Sequence, residues 1–246
     1  MTIMIESEGE LSGRRLSPGE VLPFRCHPGL ACFNSCCRNK RLSLLPYDVL
    51  RLSRGLGCRS DEFLANHVEL EIEASSGWPT LRLELAADGR CPFVRDAGCG
   101  VYSHRPTCCR IYPLARAVRL EDEGEPSELF VIADENARCM GFGAPQGLTV
   151  EDWTRTQGLD AFRAANNRMA RLFLHPRRPR PLSLSTTEVH AVIMALYNLD
   201  VFRQSVAQPD FSARFGLESA TVARALASDE ALLELGQDWL TAQLFG

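Results

Sequence analysis

The alternation of apolar and polar residues changes along the chain, and each change predicts a different kind of element. The segment PYDVLRLSRGLG at residues 46–57 places its apolar residues near one helical face, with Pro in the first turn and Gly at the end. A second short helix is predicted over residues 60–70, with Ser60 as its N-cap. Leucines at positions 81, 83 and 85 then alternate with polar residues, which predicts a half-buried strand.

Further short strands are predicted before the pattern becomes helical. They lie at Val94, over residues 111–120 and over residues 129–133. The run EDEGEPSE, at residues 121–128, predicts a solvated turn between the last two strands. The cysteines at positions 91, 99, 108 and 109 are therefore expected on the loops of a small antiparallel sheet.

The chain after Cys139 has the pattern of a helical region. One long helix is predicted over residues 149–174, with Thr149 as its N-cap, and another over residues 186–206. Shorter helices are predicted near residues 209–215, 217–227 and 229–243.

The predicted fold class is therefore α+β and mostly helical. A small cysteine-rich metal-binding part with short antiparallel strands, residues 21–147, is expected to pack on a helical C-terminal region, residues 148–246. Residues 1–20 are polar and predict a flexible N-terminal tail or an edge segment.

Composition and charge limit the classes of binding partner that we expect for the protein. The chain has 246 residues, 45% of them hydrophobic and 24% charged, so it can bury a core without needing a metal to fold. Its net charge of −4 gives no general attraction to nucleic acid or to anionic membranes, and we expect neither as a partner. The chain begins without a basic segment and apolar run, and no window approaches a membrane span, so we expect a cytoplasmic protein.

The ten cysteines are the candidate chemistry of the chain. Eight of them occur close to other cysteines, at positions 26, 32, 36 and 37 and at positions 91, 99, 108 and 109, and Cys139 follows alone. In a reducing compartment clustered thiols attract metal rather than form disulfides. The alternative, that they are small buried apolar residues, suits Cys58 best.

Adjacent cysteines point in different directions. Of Cys36 and Cys37, one can therefore bind a metal while the other faces a second site or the core. Four thiolates on one Zn²⁺ or one [4Fe–4S]²⁺ cluster leave about two negative charges, which Arg105 and Arg110 could offset as cofactor-binding residues. The alternative for these arginines is ordinary salt bridging.

The sequence lacks several known metal-binding and catalytic motifs. The cysteines do not form the paired knuckles of a zinc ribbon, the radical-SAM spacing or the bacterial ferredoxin run. No motif of a serine hydrolase, a zinc protease or a dinucleotide-binding fold is present, so no catalytic residue is predicted. His27 and His104 stand beside candidate residues and could enter a metal shell, although an isolated histidine is more often solvated or structural.

The order of the motifs resembles a known family. The matching segments are Cys36-Cys37, CPFV at 91–94, CGVY at 99–102, RPTCCRIYP at 105–113 and CMGFG at 139–143. Over residues 22–147 the chain is similar to the YkgJ-type cysteine-cluster family, the CxxCxxCC zinc- or iron-chelating domain, which is related to flagellin lysine N-methylase. The chain departs from the family pattern by wider spacing in its first cysteines. Cys108 also stands where the family accepts other residues, which makes Cys109 the better ligand.

The resemblance implies eight metal ligands: Cys26, Cys32, Cys36, Cys37, Cys91, Cys99, Cys109 and Cys139. Eight are too many for one mononuclear site or one cubane cluster, so either two sites exist or some of the eight are structural.

Three hypotheses follow for function. The first is a cytoplasmic protein that holds a [4Fe–4S] cluster and whose reaction is unassigned. The second is a protein-lysine N-methyltransferase that uses S-adenosylmethionine on a protein substrate, although no independent motif for that cofactor is present. The third is a non-catalytic adaptor in which Zn²⁺ fixes the loops and the helical region binds a protein partner.

Overall fold

The structure of the protein is a computed structural model that describes residues 13–121, 124–132, 139–144 and 146–246, and the backbone of residues 2–4. The helices in these ranges are α1 (Pro46–Leu56), α2 (Ser60–His67), α3 (Thr107–Ile111), α4 (Val150–Thr156), α5 (Asp160–Phe173), α6 (Thr186–Leu196), α7 (Leu199–Val206), α8 (Pro209–Phe215), α9 (Ser219–Ala227) and α10 (Asp229–Phe245). The strands are β1 (Thr2–Met4), β2 (Arg15–Leu16), β3 (Val21–Leu22), β4 (Ser43–Leu44), β5 (Val68–Ile72), β6 (Pro79–Leu83), β7 (Val94–Arg95), β8 (Gly98–Cys99), β9 (Leu114–Leu120), β10 (Pro126–Ile132) and β11 (Leu148–Thr149). The predicted α+β, mostly helical fold class is confirmed.

The strands form small separate sheets. The largest has the order β1-β9-β10-β2, with β1 parallel to β9 and the other pairs antiparallel. A second sheet has the order β4-β6-β5, while β7 pairs with β8 and β11 pairs with β3. Part of the predicted N-terminal tail therefore supplies the edge strands β1 and β2, and residues 5–12 of it lie outside the described residues.

The predicted strand around residue 81 is confirmed as β6, where Leu81 and Leu83 are buried and Leu85 lies beyond its end. The helix predicted over residues 60–70 is too long, because α2 ends at His67 and the chain continues as β5, paired with β6 along its whole length. Ser60 is not the N-cap either. Its hydroxyl instead donates to Asn198 and Asp200 near the start of α7.

The strand predicted over residues 111–120 begins late, since Ile111 still belongs to α3 and β9 starts at Leu114. The solvated turn predicted over residues 121–128 ends early, because β10 starts at Pro126. The carboxylate of Glu128 therefore lies inside a strand and pairs with the fully buried Arg116 and with Arg163 of α5. Its charge has a structural role that the turn prediction missed.

Both long helices of the C-terminal region are interrupted. The first divides into α4 and α5 around Gly158, which has a φ of 64°. The second divides into α6 and α7, which are separated by Tyr197 and Asn198. The predicted N-cap is confirmed, because the Thr149 hydroxyl oxygen accepts from the backbone N–H of Asp152 at 3.1 Å. The three shorter helices lie close to their predicted ranges.

One large hydrophobic cluster contains residues from both predicted parts. Phe24, Leu44 and Leu81 from the strand-bearing part belong to the same cluster as Phe162 and Leu196 from the helical region. The cysteine-bearing loops lie at the edge of this core, where Cys91, Cys99 and Cys139 pack against it. In the part of the chain that the structure describes, no helix has the length and apolar character needed to span a bilayer.

Candidate metal centre

Two distant segments run side by side and bring Cys26 near Cys139. The backbone N–H of Arg25 donates to the carbonyl of Gly141 at 2.9 Å, and Phe24 forms an isolated bridge with Phe142. A Cβ on Gly141 would stand 2.7 Å from the Phe24 ring and 3.0 Å from the Arg25 carbonyl oxygen. Glycine at this position of the CMGFG motif therefore permits the close approach of the two segments.

Cys32 and Cys36 lie in the same region as Cys26 and Cys139. The backbone N–H of Met140 donates to the Cys32 sulfur at 3.2 Å, across 108 residues of sequence. Burial, and then the neighbouring thiols of Cys36, Cys139 and Cys32, raise the pKa of Cys26. We call these four residues, Cys26, Cys32, Cys36 and Cys139, the first thiol group.

A short hairpin holds the next cysteines. In β7 and β8 Val94 pairs with Cys99, and the carbonyl of Cys91 accepts from the N–H of Val94 at 3.2 Å. The N–H of Cys91 donates in turn to the carbonyl of Cys37 at 2.9 Å. The hairpin is therefore fixed against the end of the 3-10 turn Ser35–Cys37, and the Cys37 thiol interacts electrostatically with those of Cys91 and Cys99.

Cys109 reaches this hairpin from helix α3. The start of α3 is held by the buried carboxylate of Asp48 in α1, which accepts from the N–H and the hydroxyl of Thr107 at 2.8 and 2.6 Å. The Cys109 thiol interacts electrostatically with Cys91 and Cys37. We call Cys37, Cys91, Cys99 and Cys109 the second thiol group.

The two pairs of adjacent cysteines are each joined by a hydrogen bond between their thiols. The bond from Cys37, assisted by the charge of Lys40 and opposed by burial, lowers the pKa of Cys36 to about 6, while the pKa of Cys37 is raised. The bond from Cys109 likewise lowers the pKa of Cys108, and the pKa of Cys109 is raised well above its usual range. In each pair the two thiols therefore titrate together, and one thiolate forms before the other.

All ten cysteines lie in the described ranges, and all are free thiols. Among the described residues no three His, Cys, Asp or Glu side chains are close enough together to hold a metal ion as they stand. The members of each group are therefore neighbours that have not converged on one point, and metal binding requires their side chains to turn. The donor chemistry fits a thiophilic metal, because each group offers four sulfurs and one group already has an N–H directed at a sulfur.

Comparison with known proteins bears on this arrangement. Residues 25–139 match the CxxCxxCC family model. The family is described as a “Putative zinc- or iron-chelating domain”, and the match confirms the predicted resemblance over this range. No curated protein and no solved structure matches the chain. The CxxCxxCC segment, residues 25–139, contains all eight predicted ligands, and its description supports metal binding without choosing between zinc and iron.

Arg105 and Arg110 of the CxxCxxCC segment are buried and bind backbone and side-chain oxygens. Arg105 donates to the Tyr102 carbonyl and the Gln157 side chain, and its guanidinium lies 3.8 Å from the centre of the Tyr102 ring. Arg110 donates to the carbonyls of Arg105, Gln157 and Ser103. Burial, and then the charge of Arg105, lower the pKa of Arg110 to about 10. Through Gln157 these contacts tie the segment to the end of α4, while the predicted role of the two arginines towards a cluster stays a prediction.

The two candidate histidines and Cys58 have other contacts. His27 is exposed and its Nδ1 accepts from the N–H of Gly29 at 3.2 Å. His104 packs against Gly55 of α1, and its buried Nδ1 has no hydrogen-bond partner among the described residues. Cys58 lies after α1, packs against the core and points its thiol at the Ser53 carbonyl at 3.7 Å.

Sequence reasoning missed two residues that position the thiols of the CxxCxxCC segment. Asp48 anchors α3. In the sequence, its position in the first turn of α1 indicated only a residue that favours the start of a helix. Asn34 has a φ of 65° and donates to the carbonyls of Arg95 and Asp96, which ties the first cysteine loop to the β7–β8 hairpin. Asparagine before the Ser35–Cys37 turn was a usable signal, because it tolerates the left-handed conformation better than most residues.

Proposed function

We propose that the protein is a cytoplasmic metal-binding protein that holds an iron–sulfur cluster of the [4Fe–4S] type through its clustered cysteines. The observation that carries the proposal is the all-sulfur donor set. It is supported by the mutual influence of the thiols of residues 26–36 and 139, and by the Met140 N–H, which donates to the Cys32 sulfur. Backbone N–H groups on cysteine sulfur stabilise thiolates and tune cluster potentials.

The residues that would hold a cluster are those of the thiol groups, and a bound [4Fe–4S] cluster supplies electron transfer or a structural cross-link. The chain's own contribution is to orient the sulfurs. The hydrogen bonds between the segments at Arg25 and Gly141 orient the first group, and the aromatic cluster of Phe24, Tyr112, Phe142 and Trp153 packs beneath them.

The test is metal and sulfide analysis of protein purified without oxygen. The proposal expects iron and acid-labile sulfide in equal amounts, with the broad visible absorbance of an iron–sulfur cluster. Colourless protein with stoichiometric zinc and no iron would exclude the cluster and favour the zinc-stabilised adaptor. The methyltransferase hypothesis is tested separately, by calorimetry of S-adenosylmethionine with metal-loaded protein, and absence of binding would contradict it.

A further inference from the structure

We propose that the cavity beside the Ser35–Cys37 turn is a binding site for a phosphate group, held by the guanidinium groups of Arg38, Arg90 and Arg95. The ligand is a tetrahedral oxyanion, either free phosphate or the phosphate group of a small ester. No cysteine belongs to the cavity wall, so the inference goes beyond the proposed metal-binding function and does not depend on it.

The cavity lies between the first cysteine loop and the β7–β8 hairpin. Its volume is about 150 Å³, and its wall includes Asn34, Ser35 and Asp96 besides the three arginines. Pockets that enclose a drug-sized molecule begin at roughly 300 Å³. The cavity therefore has room for one charged group and not for a whole cofactor.

Backbone pairing holds Arg38 and Arg90 side by side. The two residues form an isolated antiparallel bridge. Backbone hydrogen bonds lie on both sides of this bridge, at 2.9 Å from Cys91 to Cys37 and at 2.8 Å from Asn39 to Gly89. Arg38 and Arg90 are therefore a non-hydrogen-bonded pair, the type in which opposite side chains start closest together, with Cβ atoms ~4.5–5.5 Å apart.

The charges around the cavity are unbalanced. Like charges directly opposite each other destabilise a pair of strands. The Arg38 side chain makes no ion pair or hydrogen bond among the described residues, and Arg90 approaches Asp88 at only 3.7 Å. Asp96 is the acidic residue of the wall. Three positive charges thus face two carboxylates, and a bound anion would relieve the repulsion between the opposed arginines.

The third guanidinium is already fixed in place. One nitrogen of Arg95 donates to the carbonyls of Pro92 and Val94 at 2.8 and 2.9 Å. The side-chain amide of Asn34 donates to the carbonyls of Arg95 and Asp96, which joins the cysteine loop to the hairpin. The two walls of the cavity are therefore connected before any ligand binds, so binding needs little ordering of the chain.

The donors suit phosphate better than carboxylate. Each guanidinium presents its N–H groups in a planar fork that binds two oxygens of an oxyanion, and Ser35 adds an exposed hydroxyl. One such fork is enough for the two oxygens of a carboxylate. A phosphate group has at least three strong acceptor oxygens and about two negative charges at neutral pH, which matches several forks around one cavity.

The experiment measures the binding of inorganic phosphate to metal-loaded protein prepared without oxygen, by calorimetry. Chloride keeps the ionic strength constant, because salt screens exposed charges. Glycerol phosphate separates a phosphate ester from free phosphate, and acetate is the carboxylate comparison. The variants are Arg38→Gln and Arg90→Gln. Arg224→Gln in α9 is the matched control, since Arg224 is also exposed and lies outside the cavity wall.

The wild type and the Arg224→Gln control should bind phosphate more tightly than acetate. Each cavity variant should bind phosphate about tenfold more weakly or worse, because a hydrogen bond between charged groups is lost. Urea unfolding followed by circular dichroism gives a second readout. Without phosphate, Arg38→Gln should be at least as stable as the wild type, since it removes the repulsion. With saturating phosphate the wild type should be the more stable protein.

The results that overturn the proposal are distinct. They are no phosphate binding by the wild type, acetate binding as tight as that of phosphate, and equal phosphate affinity in the wild type and the cavity variants. Arg38→Gln that loses the same stability with and without phosphate also overturns it, because the arginine would then be structural. Tighter binding of glycerol phosphate assigns the site to an ester, and tighter binding of phosphate assigns it to the free ion. Metal and sulfide analysis tests the proposed function separately.

Discussion

Replacing Thr107 by Val tests how the helical scaffold positions the second thiol group. Thr107 is the first residue of α3 and is 2% exposed, and its hydroxyl donates to Asp48 at 2.6 Å. The same hydroxyl oxygen accepts from the side-chain amide of Asn166 in α5 at 3.3 Å. Asp48 and Asn166 are each 1% exposed, so water cannot replace either partner. The three residues connect α1, α3 and α5.

The size of the effect follows from these two bonds. Valine keeps the shape of threonine but removes the hydroxyl, which loses a hydrogen bond to a carboxylate and leaves a buried Asn166 N–H without an acceptor. The first loss costs ~1.5–3 kcal/mol and the second ~1–3 kcal/mol. Because the Asn166 bond is long, we expect the free energy of unfolding to fall by about 3 kcal/mol. The backbone N–H of Thr107 still donates to Asp48, so the fold should survive.

The assay is urea unfolding of metal-loaded protein followed by circular dichroism, together with metal content. Thr107→Ser is the matched control, since it keeps the hydroxyl and loses one buried methyl, at a cost of about 1 kcal/mol. Burial raises the pKa of Asp48 above 3.8, and bonds from Thr107 and Leu45 oppose that rise. A protonated, neutral Asp48 depends less on the hydrogen bond from the Thr107 hydroxyl. The difference in unfolding free energy between the Val variant and the wild type should therefore shrink as the pH falls. We also expect weaker metal retention by the second thiol group.

The reasoning would be refuted by a Val variant within about 0.5 kcal/mol of the wild type, the range of ordinary surface substitutions. It would also be refuted if the Ser variant lost as much stability as the Val variant, since the hydroxyl would then not be the cause.

Three further predictions concern other parts of the chain. Burial raises the pKa of Glu128, but Arg116 and Arg163 outweigh it and lower that pKa from 4.5 to about 2. The stabilisation of roughly 3 kcal/mol is therefore full above pH 4.5 and is lost as the pH falls towards 2, and Glu128→Gln should remove this acid dependence in urea titrations. Gly141→Ala should destabilise the protein by ~1–3 kcal/mol and lower its metal content, whereas Gly19→Ala, where a Cβ meets nothing within 4 Å, should change neither. Unchanged stability and metal content in Gly141→Ala would contradict this account of Gly141. Cys109→Ser should lower metal content more than Cys108→Ser, and the reverse order would assign the ligand to Cys108.

Several elements were predictable from the sequence because their causes are local. The face of α1, the alternation in β6 and the cap at Thr149 depend on residues a few positions apart, and each lies where the pattern predicts. The ends of elements were less predictable. The chain after His67 forms strand β5 because it pairs with β6. The helix-start signals near residue 60 carry no information about this pairing.

The charged residues depended on tertiary context in the same way. The run at residues 121–128 has the composition of a solvated turn, but strand pairing carries Glu128 to the buried Arg116. Arg105 and Arg110 stand beside the cysteines in the sequence, and the fold directs both guanidinium groups to backbone carbonyls.

The sequence by itself determined that thiol chemistry is concentrated in one segment, that the segment resembles a metal-chelating family and that the remainder is mostly helical. Only the tertiary structure decided which distant segments meet beside the thiols. Cys32 meets Met140 across 108 residues, and Thr107 meets Asp48 across 59. Spacing along the chain reports which residues are available, but hydrogen bonds between distant segments decide which sulfurs are neighbours.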